Sequence, residues 1–246
     1  MGTNPFEPLR NPAVSEAVVT IAPWRERLRV SRVLIVLELA LIGVIFVADQ
    51  HHLIYISKTP YLLALGWISL AARGFRWRDL GFRLPAEWRR LVLIGIGVGI
   101  AMEVLELLVT QPLLVSLTGK YPDLSDFRYV VGNIKLVLLM IGGSWTLAAL
   151  GEELVWRGYI LNRLTDLFGR RHWGWTVSLC LASLVFGLSH SDQGMTGIVE
   201  NVIDGLLLGA LYLACGRNLM APIIAHGITD TLDSLIIFSG HYPGMS

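Results

Sequence analysis

Seven long, mostly apolar stretches occupy this chain, and they decide what it can fold into. Lipid offers the backbone no hydrogen-bond partners, so a run of about 20 apolar residues there closes on itself as a helix. The stretches lie at roughly 33–48, 53–72, 91–110, 136–157, 174–190, 198–215 and 219–239. The second is the weakest, because Lys58 and Pro60 interrupt it. Charged residues make up 16% of the chain, where a soluble domain carries about 25%. The expectation is an all-α, polytopic transmembrane helical bundle of about seven spans. Residues 31–246 form its single domain, behind a tail at 1–30.

Arginines give the bundle a direction. Arg10, Arg25, Arg27, Arg29 and Arg32 lie in or beside the tail, and six more lie between spans two and three. Arg157, Arg163, Arg170 and Arg171 surround the loop between spans four and five, and Arg217 precedes span seven. Sixteen of the twenty basic residues thus fall on one side. That asymmetry predicts a cytoplasmic N-terminus and, with seven spans, an external C-terminus, in a bacterial-type plasma membrane. No basic tract has the look of a nucleic-acid footprint, and Met1–Val30 lacks the apolar segment of a secretory leader. Cys180 and Cys215 fall inside apolar runs, which points away from a disulfide framework. The oligomeric state is left open.

An ionisable group at bilayer depth costs about 2.5–3.5 kcal/mol on insertion scales, so each one needs a partner, a wet cavity or a function. Residues 151–163 read GEELVWRGYILNR. Glu153 and Arg157 stand four apart with the acid first, the favourable order for a helical ion pair. Glu152 then points about 100° away around the helix, towards other helices. An interfacial charge cluster would give the same pattern. FGLSH sets Phe186 and His190 on one helical face, and AHGITD does the same for His226 and Asp230, with Gly227 leaving room for close backbone approach. Hydrogen bonding between helices accounts for either histidine alone.

Three helices each presenting a polar pair point instead to a shared centre. Two histidines and a carboxylate can serve as a base and a water-activating site. They can equally ligate Zn2+, with Glu152, His190 and His226 as the ligand set; HExxH is absent, so such a site would be assembled between helices. Glu103, Glu106, Glu200 and Asp204 form a second acidic set that would suit a proton-coupled transporter. The internal repeats common in transporters are not seen.

The ordered set EELVWR, FGLSH and HGITD resembles the three motifs of the CPBP family: EExxxR, then FxxxH, then His followed four residues later by Asn or Asp. That family comprises intramembrane proteases, including type II CAAX prenyl endopeptidases, and bacteriocin-immunity and abortive-infection-like proteins. RGYI after the first motif, GLLLGALYLACGRNLMAPIIAH leading into the third and WRDLGFR before span three add to the likeness, which covers roughly 75–246. It implies a protease-like core at roughly 91–240. It also implies an endopeptidase acting on membrane-associated, prenylated or otherwise hydrophobic protein substrates. Glu152 and His190 would activate the hydrolytic water, and His226 and Asp230 would stabilise the oxyanion or complete the polar centre. Glu153 and Arg157 are implied as the structural ion pair behind the site, with Phe186 supporting His190. Asp230 lies within the family's range, although an ionised aspartate only accepts hydrogen bonds. Metal-dependent and metal-free, glutamate-dependent mechanisms both fit the resemblance, as does a non-catalytic binding or immunity protein of the same fold.

One geometric tension follows. Charge-derived topology puts Glu152 near the cytoplasmic end of span four and His190 near the external end of span five. Matching depths require span four to continue past Arg157 towards Leu164, or Ser191–Gly197 to be partly re-entrant.

Overall fold

The computed structural model describes residues 23–245, so most of the expected tail at 1–30 lies outside the described residues. No strand occurs among them. A short helix α1 (Pro23–Val30) leads into α2 (Arg32–Gln50), whose first turn is capped by Ser31 Oγ accepting from Leu34 N. The helices that follow are α3 (Lys58–Arg73), α4 (Trp88–Thr118), α5 (Ile134–Phe168), α6 (His172–Leu188), α7 (Gly194–Ala214) and α8 (Met220–Ser239). Every expected span falls on one of these helices. Five of them are long and apolar enough to cross a membrane, namely α2, α4, α5, α7 with its preceding turn, and α8. The other two, α3 and α6, have 16 and 17 residues.

Pro60 does not interrupt α3. That helix begins at Lys58, which puts the proline in the first turn, where no intrahelical partner is owed to its missing N–H. Helix α4 runs eight residues beyond its expected end. Its i→i+5 turn at Glu106–Thr110 sits directly before Pro112 and absorbs the missing donor without ending the helix.

Helix α2 is built inside-out relative to a soluble helix. Ile35, Glu38 and Ile42 are buried while Val33, Leu37, Leu41, Val44 and Val47 face outward. An apolar outer surface with its carboxylate turned inward is what lipid selects. Glu38 meets Arg73 at the end of α3. The guanidinium forks onto it, Nη1 to Oε1 at 2.6 Å and Nη2 to Oε2 at 3.1 Å, and Nη1 also donates to Ser69 Oγ.

Small residues let α4 and α8 approach closely. A Cβ on Gly95 or Gly99 of α4 would stand 2.8 or 2.6 Å from the carbonyl oxygens of Ala221 and Ala225 of α8. Two small residues four apart on each helix thus bring the backbones together, and dispersion does the work that water does elsewhere.

The arginine-rich ends gather at one end of the bundle. Arg29 Nε donates to Arg73 O, Leu219 N donates to Gly81 O, and Asn218 Nδ2 donates to Arg83 O. Two of the arginines counted as loop charges do not belong there. Arg157 and Arg163 lie within α5 and are 3% and 1% exposed, because the helix continues to Phe168.

The Glu38–Arg73 fork gives a first prediction. Glu38→Gln leaves a fully buried guanidinium without its counter-charge and should cost about 3–5 kcal/mol, read as a lowered thermal midpoint in detergent. Glu38→Leu with Arg73→Met should recover most of that loss. A single variant as stable as the parent would contradict this role.

Candidate active site

The three motifs converge because α5 is long. At 35 residues it carries Glu152 to its middle, sixteen residues before its end at Phe168, while His190 lies eighteen residues after α6 begins at His172. At about 1.5 Å per residue those distances are about 24 and 27 Å from the same end of the bundle. The tension in the topology is resolved by helix continuation. The segment after His190 is only a single tight turn, Ser191–Gln193, before α7.

Helix α5 is widened by π-type turns over Ser144–Glu152 and Leu154–Ile160. Such turns recur at functional sites because they re-aim side chains without breaking a helix. Here they flank Glu153, so neighbouring glutamates serve different partners. Glu153 is fully buried, and its Oε1 accepts from Arg157 Nη1 at 2.5 Å and from His226 Nδ1 at 2.9 Å. Arg157 also reaches α7, with Nη2 at 3.4 Å from the carbonyl oxygens of Asp204 and Gly205. Its guanidinium lies 4.8 Å from the Phe186 ring of α6. The expected Glu153–Arg157 pair is therefore present but not self-contained, since it also anchors His226. Spacing within one helix carried no sign of that third partner.

His190 is held by its own helix. Its Nδ1 lies 2.9 Å from Phe186 O, and the two rings meet edge to face at 4.8 Å. A carbonyl only accepts, so Nδ1 carries the proton and Nε2 keeps its lone pair. His226 differs. Its Nδ1 is committed to Glu153, and its Nε2 stands 3.6 Å from Asp230 Oδ1, longer than a hydrogen bond. Gly227 does give the close approach expected of it: a Cβ there would meet the Trp145 ring at 2.7 Å, while Trp145 Nε1 donates to Thr231 Oγ1.

Glu152, His190, His226 and Asp230 all line one cavity of about 380 Å³. Glu106, Glu200 and Asp204, set apart in the sequence as a transport-like group, line the same cavity with Asp233, and Glu103 packs behind Asp233. The zinc expectation finds no fitting donor set. Among the described residues no three His, Cys, Asp or Glu side chains are disposed to hold one ion. Both nitrogens of His226 already face carboxylates, so the trio Glu152, His190 and His226 does not form a tetrahedral centre in this arrangement.

The first two long helices, ordinary in sequence, brace the His190 turn. Lys58 Nζ donates to Ser189 O at 3.2 Å and pairs with Asp49 at 3.2 Å. Gln50 Nε2 donates to Leu188 O and to Ser191 Oγ. No local pattern could have signalled these contacts, whose partners lie more than 130 residues apart in sequence.

Residues 134–232 match the family model of the type II CAAX prenyl endopeptidase Rce1-like proteins. The similarity is to a family of proteases and covers under half of the chain. The match starts with α5 and ends within α8, so it contains all three motifs, whereas WRDLGFR lies outside it. No curated protein and no solved structure matches the chain. With five helices long and apolar enough to cross a membrane, the chain is an integral membrane protein in which residues 134–232 resemble a protease family.

The two adjacent glutamates separate cleanly by experiment. Glu153→Gln removes the counter-charge of a buried arginine and should destabilise by about 3–5 kcal/mol. Glu152 makes no hydrogen bond or ion pair among the described residues, so Glu152→Gln should shift stability by less than about 0.5 kcal/mol. Denaturant or thermal melts of the purified variants check the order.

Proposed function

We propose that this protein is an intramembrane endopeptidase that hydrolyses hydrophobic, membrane-associated peptide segments, prenylated ones among them, using water activated by Glu152 and His190. The observation that carries the proposal is the meeting of both residues, at matching depth, in one polar cavity within an otherwise apolar bundle. The family match over residues 134–232 supports the reaction class.

The chemistry follows from the proton positions. A water donates one hydrogen bond to the lone pair of His190 Nε2 and the other to the Glu152 carboxylate. Glu152 takes its proton as the oxygen attacks the peptide carbonyl carbon, in general-base catalysis. The carbonyl oxygen becomes an oxyanion, and His226, doubly protonated between the carboxylates of Glu153 and Asp230, donates Nδ1–H to Glu153 and presents Nε2–H to the oxyanion. Asp230 orients that ring from 3.6 Å, in place of the donor role an asparagine could take. Protonated Glu152 then returns its proton to the leaving amine as the C–N bond breaks. Each step uses groups of this chain alone.

For topology, the proposal is that α3 and α6 also cross the membrane, giving seven spans with a cytoplasmic N-terminus and an external C-terminus. The gathering of arginines at one end of the bundle supports it. The cavity reaches Asp192 and Gln193 near the opposite end, which makes that side the route for water.

The test is to compare membranes containing the parent protein with those containing Glu152→Gln or His190→Ala, at equal abundance, by quantitative peptide-terminus proteomics. Either substitution should lower the appearance of new termini by about 10²–10⁴-fold, the usual scale of general-base loss. Unchanged termini would sink the protease assignment and leave a binding protein of the same fold.

A further inference from the structure

Besides Asp192 in the turn after α6, four carboxylates of the cavity have no part in the reaction just described. Glu106 stands on α4, Glu200 and Asp204 on α7, and Asp233 on α8. Together they make an acidic floor beside the catalytic residues of α5 and α6. No lysine or arginine is among the described residues that line the cavity. The guanidinium of Arg157 is engaged by Glu153 and by the backbone carbonyls of Asp204 and Gly205. Among the described residues, the basic groups lining the cavity are His190 and His226, and His226 already lies between Glu153 and Asp230.

Glu200 makes the floor more than a crowding of acids. Its side chain is 5% exposed, lines the cavity and lies beside Gln111. Its Oε1 has no hydrogen-bond partner among the described residues, and neither does Asp233 Oδ1. A buried carboxylate oxygen left in that condition costs free energy until a donor reaches it. The carboxylates are too dispersed to converge on a compact ion, since no three acidic or metal-ligating groups are disposed around one point. Leu208, Ile237 and Met140 add aliphatic surface to the same wall, beside Asn201, Thr229 and Tyr242. Carboxylates reached past an aliphatic wall fit a long side chain with an apolar stem and a charged head.

We propose that the α4–α7–α8 floor is a subsite for a lysine or arginine side chain of the peptide substrate, seated beside the bond attacked by Glu152 and His190. This rests on the protease assignment and adds a specificity to it: a hydrophobic segment carrying one cationic residue near the scissile bond. The cationic head takes the place of the donors that Glu200 and Asp233 lack. Its alkyl stem covers Leu208 and Ile237.

The experiment uses full-length Glu152→Gln protein in lipid nanodiscs, which retains the cavity but should not cleave. Fluorescent hydrophobic peptides, identical except for one lysine or norleucine moved through consecutive positions, are titrated by anisotropy. At one position lysine should bind at least about tenfold tighter than norleucine, the scale of a single desolvated charge pair. Adding Glu200→Gln, or Asp204→Asn in a second variant, should bring that ratio to within about twofold. The hydrogen bond from Arg157 goes to the backbone carbonyl of Asp204, so the amide variant keeps that bond. A ratio near one at every position, a ratio that survives both substitutions, or no binding of any peptide overturns the subsite. Cleavage of the same peptides by the parent protein tests the other assignment separately. Norleucine and lysine peptides cut equally well would remove the subsite and keep the protease, whereas lysine-selective binding without any cleavage would do the reverse.

Discussion

One carboxylate oxygen, Oε1 of Glu153, ties the functional half of the bundle together. It accepts from Arg157 on its own helix and from His226 on α8. Through Arg157 the same centre touches the backbone of α7 and the Phe186 ring of α6. Phe186 in turn packs on His190 and accepts its Nδ1–H through the backbone carbonyl. Four helices thus depend on one buried charge arrangement in a region where water cannot substitute for a lost partner. Fixing His226 through Nδ1 and His190 through Nδ1 leaves the Nε2 of both rings for chemistry. Glu152, next to the anchor yet outside it, remains the uncommitted carboxylate.

Helix length is the second constraint, because it sets depth. Ending α5 at Arg157 would have put Glu152 at an interface and far from His190. Continuing it to Phe168 puts both side chains in one cavity. The π-type turns on either side of Glu153 give two adjacent glutamates separate destinations. Close glycine and alanine contacts between α4 and α8 then bring the acidic floor up against His226 and Asp230. The braces from Lys58 and Gln50 hold the His190 turn from helices outside the family match.

Much of this was legible in the amino-acid sequence, because lipid makes periodic and compositional signals strong. The apolar runs marked every long helix, and i, i+4 spacing found the Glu153–Arg157 pair and the close approach at Gly227. Helix ends were less legible. Arg157 and Arg163 looked like loop charges, since only their buried partners Glu153 and Asp166 make them tolerable within a helix. Pro60 looked like an interruption until the helix start at Lys58 put it in a first turn. Contacts between distant segments, such as His226 with Glu153 or Lys58 with Ser189, follow no local rule. The meeting of Glu106, Glu200 and Asp204 with Glu152, His190, His226 and Asp230 in one cavity has the same origin, because it depends on how α4, α7 and α8 cross.

The central claim is that Glu152 and His190 act on the same water. Single-turnover cleavage by Glu152→Gln, His190→Ala and the combined variant tests it as a double-mutant cycle. Residues that work as a unit are strongly non-additive. The account predicts that the combined variant is no more than about threefold slower than the slower single one. Rate losses that multiply in the combined variant would show two independent contributions and contradict the shared water.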